Sequence, residues 1–287
     1  MEIHIVPDDQ LADLALRLRD SSPGDWSPDA LRNRGTADAR FLDGELAVPV
    51  GTADPSALAQ ADCFRRAAQV LRKALGPAST IGSHGAPNTW GNPYLLWPQS
   101  IELRAGASGP ELVLTDNWPK HQGRDGFIAH LQPDDSSPTP WKAKDWDVFE
   151  RAFAAWLSTV SAEQRALGLP LVPAIHGGLL LDIYPHEDRL LIGGAGSADF
   201  PALGWIPGPL EGDDPWFDYP EWRLIGGAIG HVDGAALAAT AVATARAAGV
   251  ASPEDLKIMH GTQNETPEGD EYYITFHGLG INARSSR

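Results

Sequence analysis

The sequence predicts an α+β protein of two related halves, each an antiparallel or mixed sheet with helices packed on one face. Some segments place apolar residues at a period near 3.6, while others alternate in polarity or form short apolar runs bounded by turn residues. A helix ending in glycine, a histidine-glycine pair and strand-like runs follow one another in 54–114 and in 165–192, and more loosely in 246–276. Such a recurring order indicates a duplicated unit, although Ala-Leu-Gly is also an ordinary helix ending.

Local signals define the elements of the first half. Apolar residues between Leu11 and Leu18 fall on one helical face, and Asp43-Gly44 predicts a tight hairpin turn. Asp54-Pro55 predicts the start of a long helix, because aspartate caps helices and proline suits the first helical position. Residues 100–104 and 111–114 predict an antiparallel strand pair, since they alternate in polarity and are joined by a glycine-rich turn.

The second half begins after a segment rich in proline, serine and aspartate. We interpret 132–140 as a linker between the halves 1–131 and 141–287. Apolar residues recur with helical period from Trp146 to Val160, and the pair Ser161 and Gln164 predicts that a second, short helix begins at Ser161. The remaining predicted elements are strands at 171–175, 179–184, 189–192, 222–225 and 272–276, and an alanine-rich helix from Asp233 to Gly249.

Composition limits the class of protein. A chain of 287 residues with 43% hydrophobic residues can bury a substantial core. No apolar run approaches the roughly 20 residues that span a bilayer, and the first residues lack the cationic and apolar segments of a signal peptide. One cysteine, Cys63, excludes an internal disulfide framework. These observations predict a cytoplasmic protein with no membrane partner.

The net charge of −16 indicates which sign of charge a binding partner would carry. Nucleic acid is not expected as a partner, because its phosphates would be repelled and the sequence contains no clear lysine and arginine cluster. A basic protein surface would be attracted, and its rate of association would rise. The alternative explanation of the acidic excess is solubility alone.

Candidate catalytic residues are few. Glycine-rich residues 193–197 lack the spacing of a serine-hydrolase elbow and the lysine of a phosphate-binding loop. His176, Asp182 and His186 lie close together in sequence around a predicted hairpin, which suggests a hydrolase site with or without a metal ion. No His-x-x-x-His spacing supports a metal. We therefore predict no metal and no cofactor, and keep the hydrolase as the alternative function.

Aromatic and acidic residues are concentrated between 193 and 222. A long segment without a regular period inside a compact protein is usually functional, and tryptophan and tyrosine are frequent anchors of protein interfaces. The same mixture also suits carbohydrate binding, paired-carboxylate chemistry or a small second core. The predicted binding residues are Trp205, Asp213, Asp214, Trp216, Phe217, Asp218 and Tyr219, with contributions from Trp90 and Trp97.

One segment resembles a known class of proteins. The residues that carry this resemblance are Phe41-Leu42-Asp43-Gly44, the helix ending Ala74-Leu75-Gly76, Trp97, Ile101–Arg104 and Glu111–Leu114. The order of these elements resembles that of small actinobacterial immunity-type proteins. Such proteins are encoded beside secreted polymorphic toxins and neutralise them by binding. The resemblance covers residues 41–115 and implies a non-enzymatic cytoplasmic binder with an α+β fold. It assigns no individual catalytic or binding residue.

Overall fold

A computed structural model describes most of the chain. The described ranges are 5–20, 40–42, 45–51, 54–83, 90–114, 127–130, 142–171, 173–186, 189–208, 220–259, 269–270, 272–276 and 278–283. They form an α+β fold with two sheets and a layer of helices, as the sequence predicts. Within these ranges, none of the helices combines the length and apolarity that crossing a bilayer requires.

Four α-helices form a row in the described part of the chain. They are α1 (Asp8–Asp20), α2 (Ala57–Leu75), α3 (Trp146–Leu167) and α4 (Gly234–Ala247). Each helix packs against the next, and α3 contacts strands of both sheets. Helix α3 is therefore the centre of the fold, and its buried residues spread over more than one face.

Fifteen strands are present in the same ranges. The first seven are β1 (Arg40–Leu42), β2 (Glu45–Pro49), β3 (Thr80–Ser83), β4 (Pro93–Trp97), β5 (Ile101–Ala105), β6 (Pro110–Leu114) and β7 (Phe127–His130). The others are β8 (Ala174–His176), β9 (Leu179–His186), β10 (Arg189–Gly196), β11 (Ile206–Pro207), β12 (Trp222–Ala228), β13 (Lys257–Met259), β14 (Tyr273–Thr275) and β15 (Asn282–Ala283).

The two sheets have the same central strand order. The first sheet is antiparallel with order β1-β2-β6-β5-β4-β3-β7-β14, and the second is mixed with order β11-β12-β10-β9-β8-β13-β15. After α2, β3 to β6 form a meander and β7 returns antiparallel to β3. After α3, β8, β9, β10 and β12 form a meander and β13 returns antiparallel to β8. The two halves are therefore related in topology.

The third unit suggested by the sequence is divided between the sheets. Strand β13 joins the second sheet, whereas β14 pairs with β7 in the first. The hydroxyl of Tyr272 donates to Ala78 O at 2.8 Å, and the Phe276 and Phe127 rings lie 5.9 Å apart. The division into 1–131 and 141–287 therefore does not separate the two sheets. The predicted linker 132–140 lies outside the described residues.

Two predicted helix starts require correction. Helix α2 begins after Ser56, whose Oγ accepts from Ala59 N, whereas Asp54 accepts from the backbone N–H of Ser56. Helix α3 continues through Ser161, so no second helix begins there. Ser161 is buried, because α3 packs against elements on several sides. Tertiary packing therefore maintains the helix through a residue type that favours caps.

Candidate functional site

Three of the predicted binding tryptophans lie in the protein interior. Trp90, Trp97 and Trp205 are only 5%, 2% and 3% exposed. The Trp90 ring packs edge-on against Phe64 at 6.2 Å, and Trp97 Nε1 donates to Gly76 O at 2.9 Å. The structure thus removes these three residues from the predicted binding surface. Their indoles fill the core, where large aromatic rings contribute most to stability.

The remaining predicted binding residues lie outside the described residues. Asp213, Asp214, Trp216, Phe217, Asp218 and Tyr219 belong to the segment 209–219, and the structure describes the residues on either side of it, Gly208 and Pro220. Residues 209–219 contain four carboxylates and no lysine or arginine. Their chemistry is therefore known from the sequence, and their attachment to the fold is known from the described residues on either side.

The two attachment points lie side by side at an edge of the second sheet. Strand β11 pairs with β12 through Ile206 opposite Arg223 and Pro207 opposite Trp222. The backbone N–H of Gly208 donates to Glu221 O at 3.0 Å and continues this pairing. Glu221 at this pairing is exposed, and so is Asp199, whose chain neighbour Phe200 stacks on Trp222. We call Asp199, Glu221 and the segment 209–219 the acidic edge.

An aromatic cluster fixes the base of the acidic edge. The Phe200 and Trp222 rings stack at 5.9 Å with an interplanar angle of 4°, and Trp205 meets Phe200 edge-on at 5.2 Å. A Cβ on Gly194 would lie 2.5 Å from Phe200 Cε1 and 2.8 Å from a Trp205 ring carbon, so both rings press on the sheet backbone. The cluster therefore joins the edge to β10.

A buried hydrogen bond joins the same cluster to the helix layer. Trp205 Nε1 donates to Thr244 Oγ1 on α4 at 2.8 Å, and the Thr244 hydroxyl donates to Thr240 O at 2.8 Å. Trp205 and Thr244 are both buried. If the indole N–H lost its acceptor on Thr244, water could not replace the hydrogen bond. The acidic edge thus has a fixed base on a sheet and a helix.

Replacing Thr244 by valine should destabilise the protein by about 1 to 3 kcal/mol, because the buried Trp205 N–H loses its acceptor. Trp205→Phe should cost a similar amount through lost packing and the lost bond. Urea unfolding of both single variants and of the double variant measures their coupling. A coupling energy near zero would show that the bond contributes nothing to stability.

The predicted catalytic residues are only partly brought together. Asp182 pairs with Ala174 on β8, two residues from His176, so both side chains emerge on one face of the sheet. Burial raises the pKa of Asp182, and a smaller electrostatic effect of His176 opposes the rise. His186 pairs with Arg189 at the far end of β9, about 13 Å along the strand from Asp182. The structure thus leaves His186 apart from the other two.

No described group of three or more histidine, cysteine, aspartate and glutamate residues is placed to hold a metal ion. Cys63 is buried on α2, and burial raises the pKa of its thiol, with a smaller opposing effect of Arg66. A thiol with a raised pKa is a poor nucleophile. Cys63 is therefore a small buried residue of the core and a poor candidate for a nucleophile.

A buried carboxylate on α3 is the ionisable group that sequence reasoning missed. Glu163 is 1% exposed, and its Oε1 accepts from Ser83 Oγ at 2.5 Å and from Asn92 N at 3.4 Å. Burial raises the pKa of Glu163 to about 7, although hydrogen bonds from Ser83, Asn92 and Thr159 oppose the rise. A sequence signal existed, because Glu163 continues the buried helical stripe of Phe149, Phe153, Trp156 and Val160.

Comparison with known proteins adds no relative. No protein-family model, no curated protein and no solved structure matches this chain. The charges, contacts and topology of the chain itself are therefore the basis on which a function can be proposed.

Proposed function

We propose that this chain is a non-enzymatic binding protein of immunity type, which neutralises a basic protein toxin in the cytoplasm through its acidic edge. The observation that carries the proposal is the attachment of residues 209–219. Four carboxylates and three aromatic residues lie in a segment whose two ends are held together on β11 and β12. Binding segments in proteins are commonly loops positioned by a rigid scaffold.

Electrostatics favour a basic partner. The chain carries a net charge of −16, and the segment 209–219 contributes four negative charges with no positive charge to offset them. Asp199 and Glu221 add exposed carboxylates beside it. A field of this sign accelerates association with a basic surface and disfavours nucleic acid. Aromatic residues in the same segment supply the apolar contact area that charge alone lacks.

The sequence resemblance supports the biological role. Residues 41–115 are similar in element order to immunity-type proteins that are encoded beside secreted polymorphic toxins. These residues include helix α2 and strands β3 to β6 of the first sheet. The acidic edge is attached to strands β11 and β12 of the second sheet. In this proposal the first half supplies scaffold and the second half supplies the toxin-binding surface.

The test uses the toxin domain encoded beside this gene as the binding partner. The triple variant Asp213→Asn, Asp214→Asn, Asp218→Asn removes three charges from the acidic edge. We expect its affinity for the toxin to fall at least tenfold at low salt, and the salt dependence of binding to weaken, because close charge pairs at interfaces contribute strongly. Titration calorimetry at several salt concentrations measures both effects.

A matched control removes the same charge elsewhere. Asp9, Asp147 and Glu254 are exposed and lie on other elements, so Asp9→Asn, Asp147→Asn, Glu254→Gln should change the affinity less than threefold. Co-expression of the toxin with the wild-type chain should restore growth, and co-expression with the acidic-edge variant should not. Equal affinity of both triple variants, or a gene with no toxin beside it, would contradict the proposal.

A further inference from the structure

Two described residues, one at the end of β3 and one just before β4, contact the same buried carboxylate on α3. Ser83, the last residue of β3, and Asn92, the residue before β4, both donate to Oε1 of Glu163. The two donors lie nine positions apart in sequence, on either side of the connection between β3 and β4. Glu163 therefore joins both donors to the central helix of the fold.

The backbone lies directly against the carboxyl group. Gly91 has φ +89°, and a Cβ at this position would overlap the carboxyl group of Glu163. Its neighbour Trp90 is buried against Phe64 of α2. No side chain fits between residue 91 and the carboxyl group, so the contact depends on the backbone staying close to α3.

No described cation compensates a charge on Glu163. On the neighbouring helix, Asp62 pairs with Arg165 at 2.5 Å near the surface, and Arg72 donates to Leu167 O at 2.8 Å. On β3 and in the 90–92 segment, the groups that face the carboxyl are the Ser83 hydroxyl and the Asn92 N–H, and Thr159 adds a hydroxyl from α3 itself. An ionised carboxylate in such surroundings is costly to keep away from water.

We propose that Glu163 is a proton-dependent latch, which holds Ser83 and Asn92 on α3 when neutral and favours their release into water when ionised. The opening is driven by hydration of the carboxylate, because the open arrangement restores the water that burial removes. The raised pKa of about 7 places this change near neutral pH. A modest change of pH would therefore alter how tightly Ser83 and Asn92 are held on α3.

Amide hydrogen exchange of Asn92 tests the latch. If the carboxyl has a pKa of about 7 when closed and its ordinary 4.5 when open, the opening equilibrium constant should rise about tenfold between pH 6 and pH 8. The measured rates are corrected for the intrinsic pH dependence of exchange. In Glu163→Gln the opening constant should change less than twofold over the same range, because glutamine does not ionise.

Two further variants separate the latch from general effects. Glu150→Gln makes the same chemical change elsewhere on α3 and should retain the tenfold rise. Ser83→Ala removes a donor that favours the ionised carboxylate in the closed state, so the rise of the opening constant should continue to higher pH than in the wild type. This variant also serves if Glu163→Gln fails to fold. A wild-type opening constant that is flat between pH 6 and pH 8, or an unchanged rise in Glu163→Gln, would overturn the proposal.

Discussion

Replacing Gly234 by alanine is expected to destabilise the protein by about 3 kcal/mol, near the upper end of overpacking effects. Gly234 is the first residue of α4, and a Cβ there would overlap Ala154 O and Ser158 Oγ of α3. A backbone oxygen cannot move aside by changing rotamer, so the two helices must separate. Equilibrium unfolding in urea measures the loss.

The control for this prediction is Gly249→Ala. Gly249 has φ +87°, and no atom lies within 4 Å of the position of its absent Cβ, so only backbone strain of about 1 to 2 kcal/mol is expected. In contrast, Gly234 has no positive φ, and its substitution tests packing alone. A Gly234→Ala variant as stable as the wild type would show that α3 and α4 can separate at little cost.

The second large effect is a dependence of stability on pH through Glu163. Its pKa is raised from 4.5 when unfolded to about 7 when folded, so the folded state binds more protons between these values. The stabilising contribution is complete below pH 4.5 and is lost as pH rises through 7. Relative to Glu163→Gln, the wild-type unfolding free energy should fall by about 2 to 3 kcal/mol between pH 5 and pH 8.

The comparison with glutamine isolates this group from the other carboxylates, which titrate in both proteins. Thermal or urea unfolding at pH 5, 6, 7 and 8 gives the difference curve. Glu150→Gln is the control for the same chemical change on the same helix, and the pH dependence assigned to Glu163 is the part that Glu163→Gln shows in excess of this control. A difference curve for Glu163→Gln that is flat, or that rises with pH, would contradict the assigned direction.

Local patterns predicted much of the fold. The pair β5 and β6 was expected because 100–104 and 111–114 alternate in polarity, and the Asp233 side chain caps α4 by accepting from Ala236 N. Strands β1 and β2, on either side of the predicted turn, pair antiparallel with Leu42 opposite Glu45. Each of these features depends on residues within a few positions of one another, and for that reason the sequence displays them.

Long-range pairing was not predictable in the same way. A strand was expected at 272–276, but its sequence does not indicate that it pairs with β7 of the first sheet. The partner is chosen by contacts such as Tyr272 to Ala78, which join residues far apart in the chain. For the same reason Ser161 was interpreted as a helix start, because the packing that buries it comes from other elements.

The candidate site was predictable in chemistry but not in placement. The sequence shows where carboxylates and aromatic residues are concentrated, and the structure attaches that segment to the edge formed by β11 and β12. Tryptophans are common both in cores and in binding surfaces, so the sequence could not distinguish Trp205, which is buried, from a surface residue. Glu163 was missed because its partners Ser83 and Asn92 lie on another element.

The position of β14 in the first sheet has a consequence for synthesis. Strand β7 leaves the ribosome early, but its partner follows roughly 140 residues later, about 7 to 30 s at bacterial to eukaryotic elongation rates. During that interval the nascent chain carries an open sheet edge that can pair with other chains. Chaperone binding to the nascent chain is therefore expected to be strongest during the interval in which β7 lacks its partner β14.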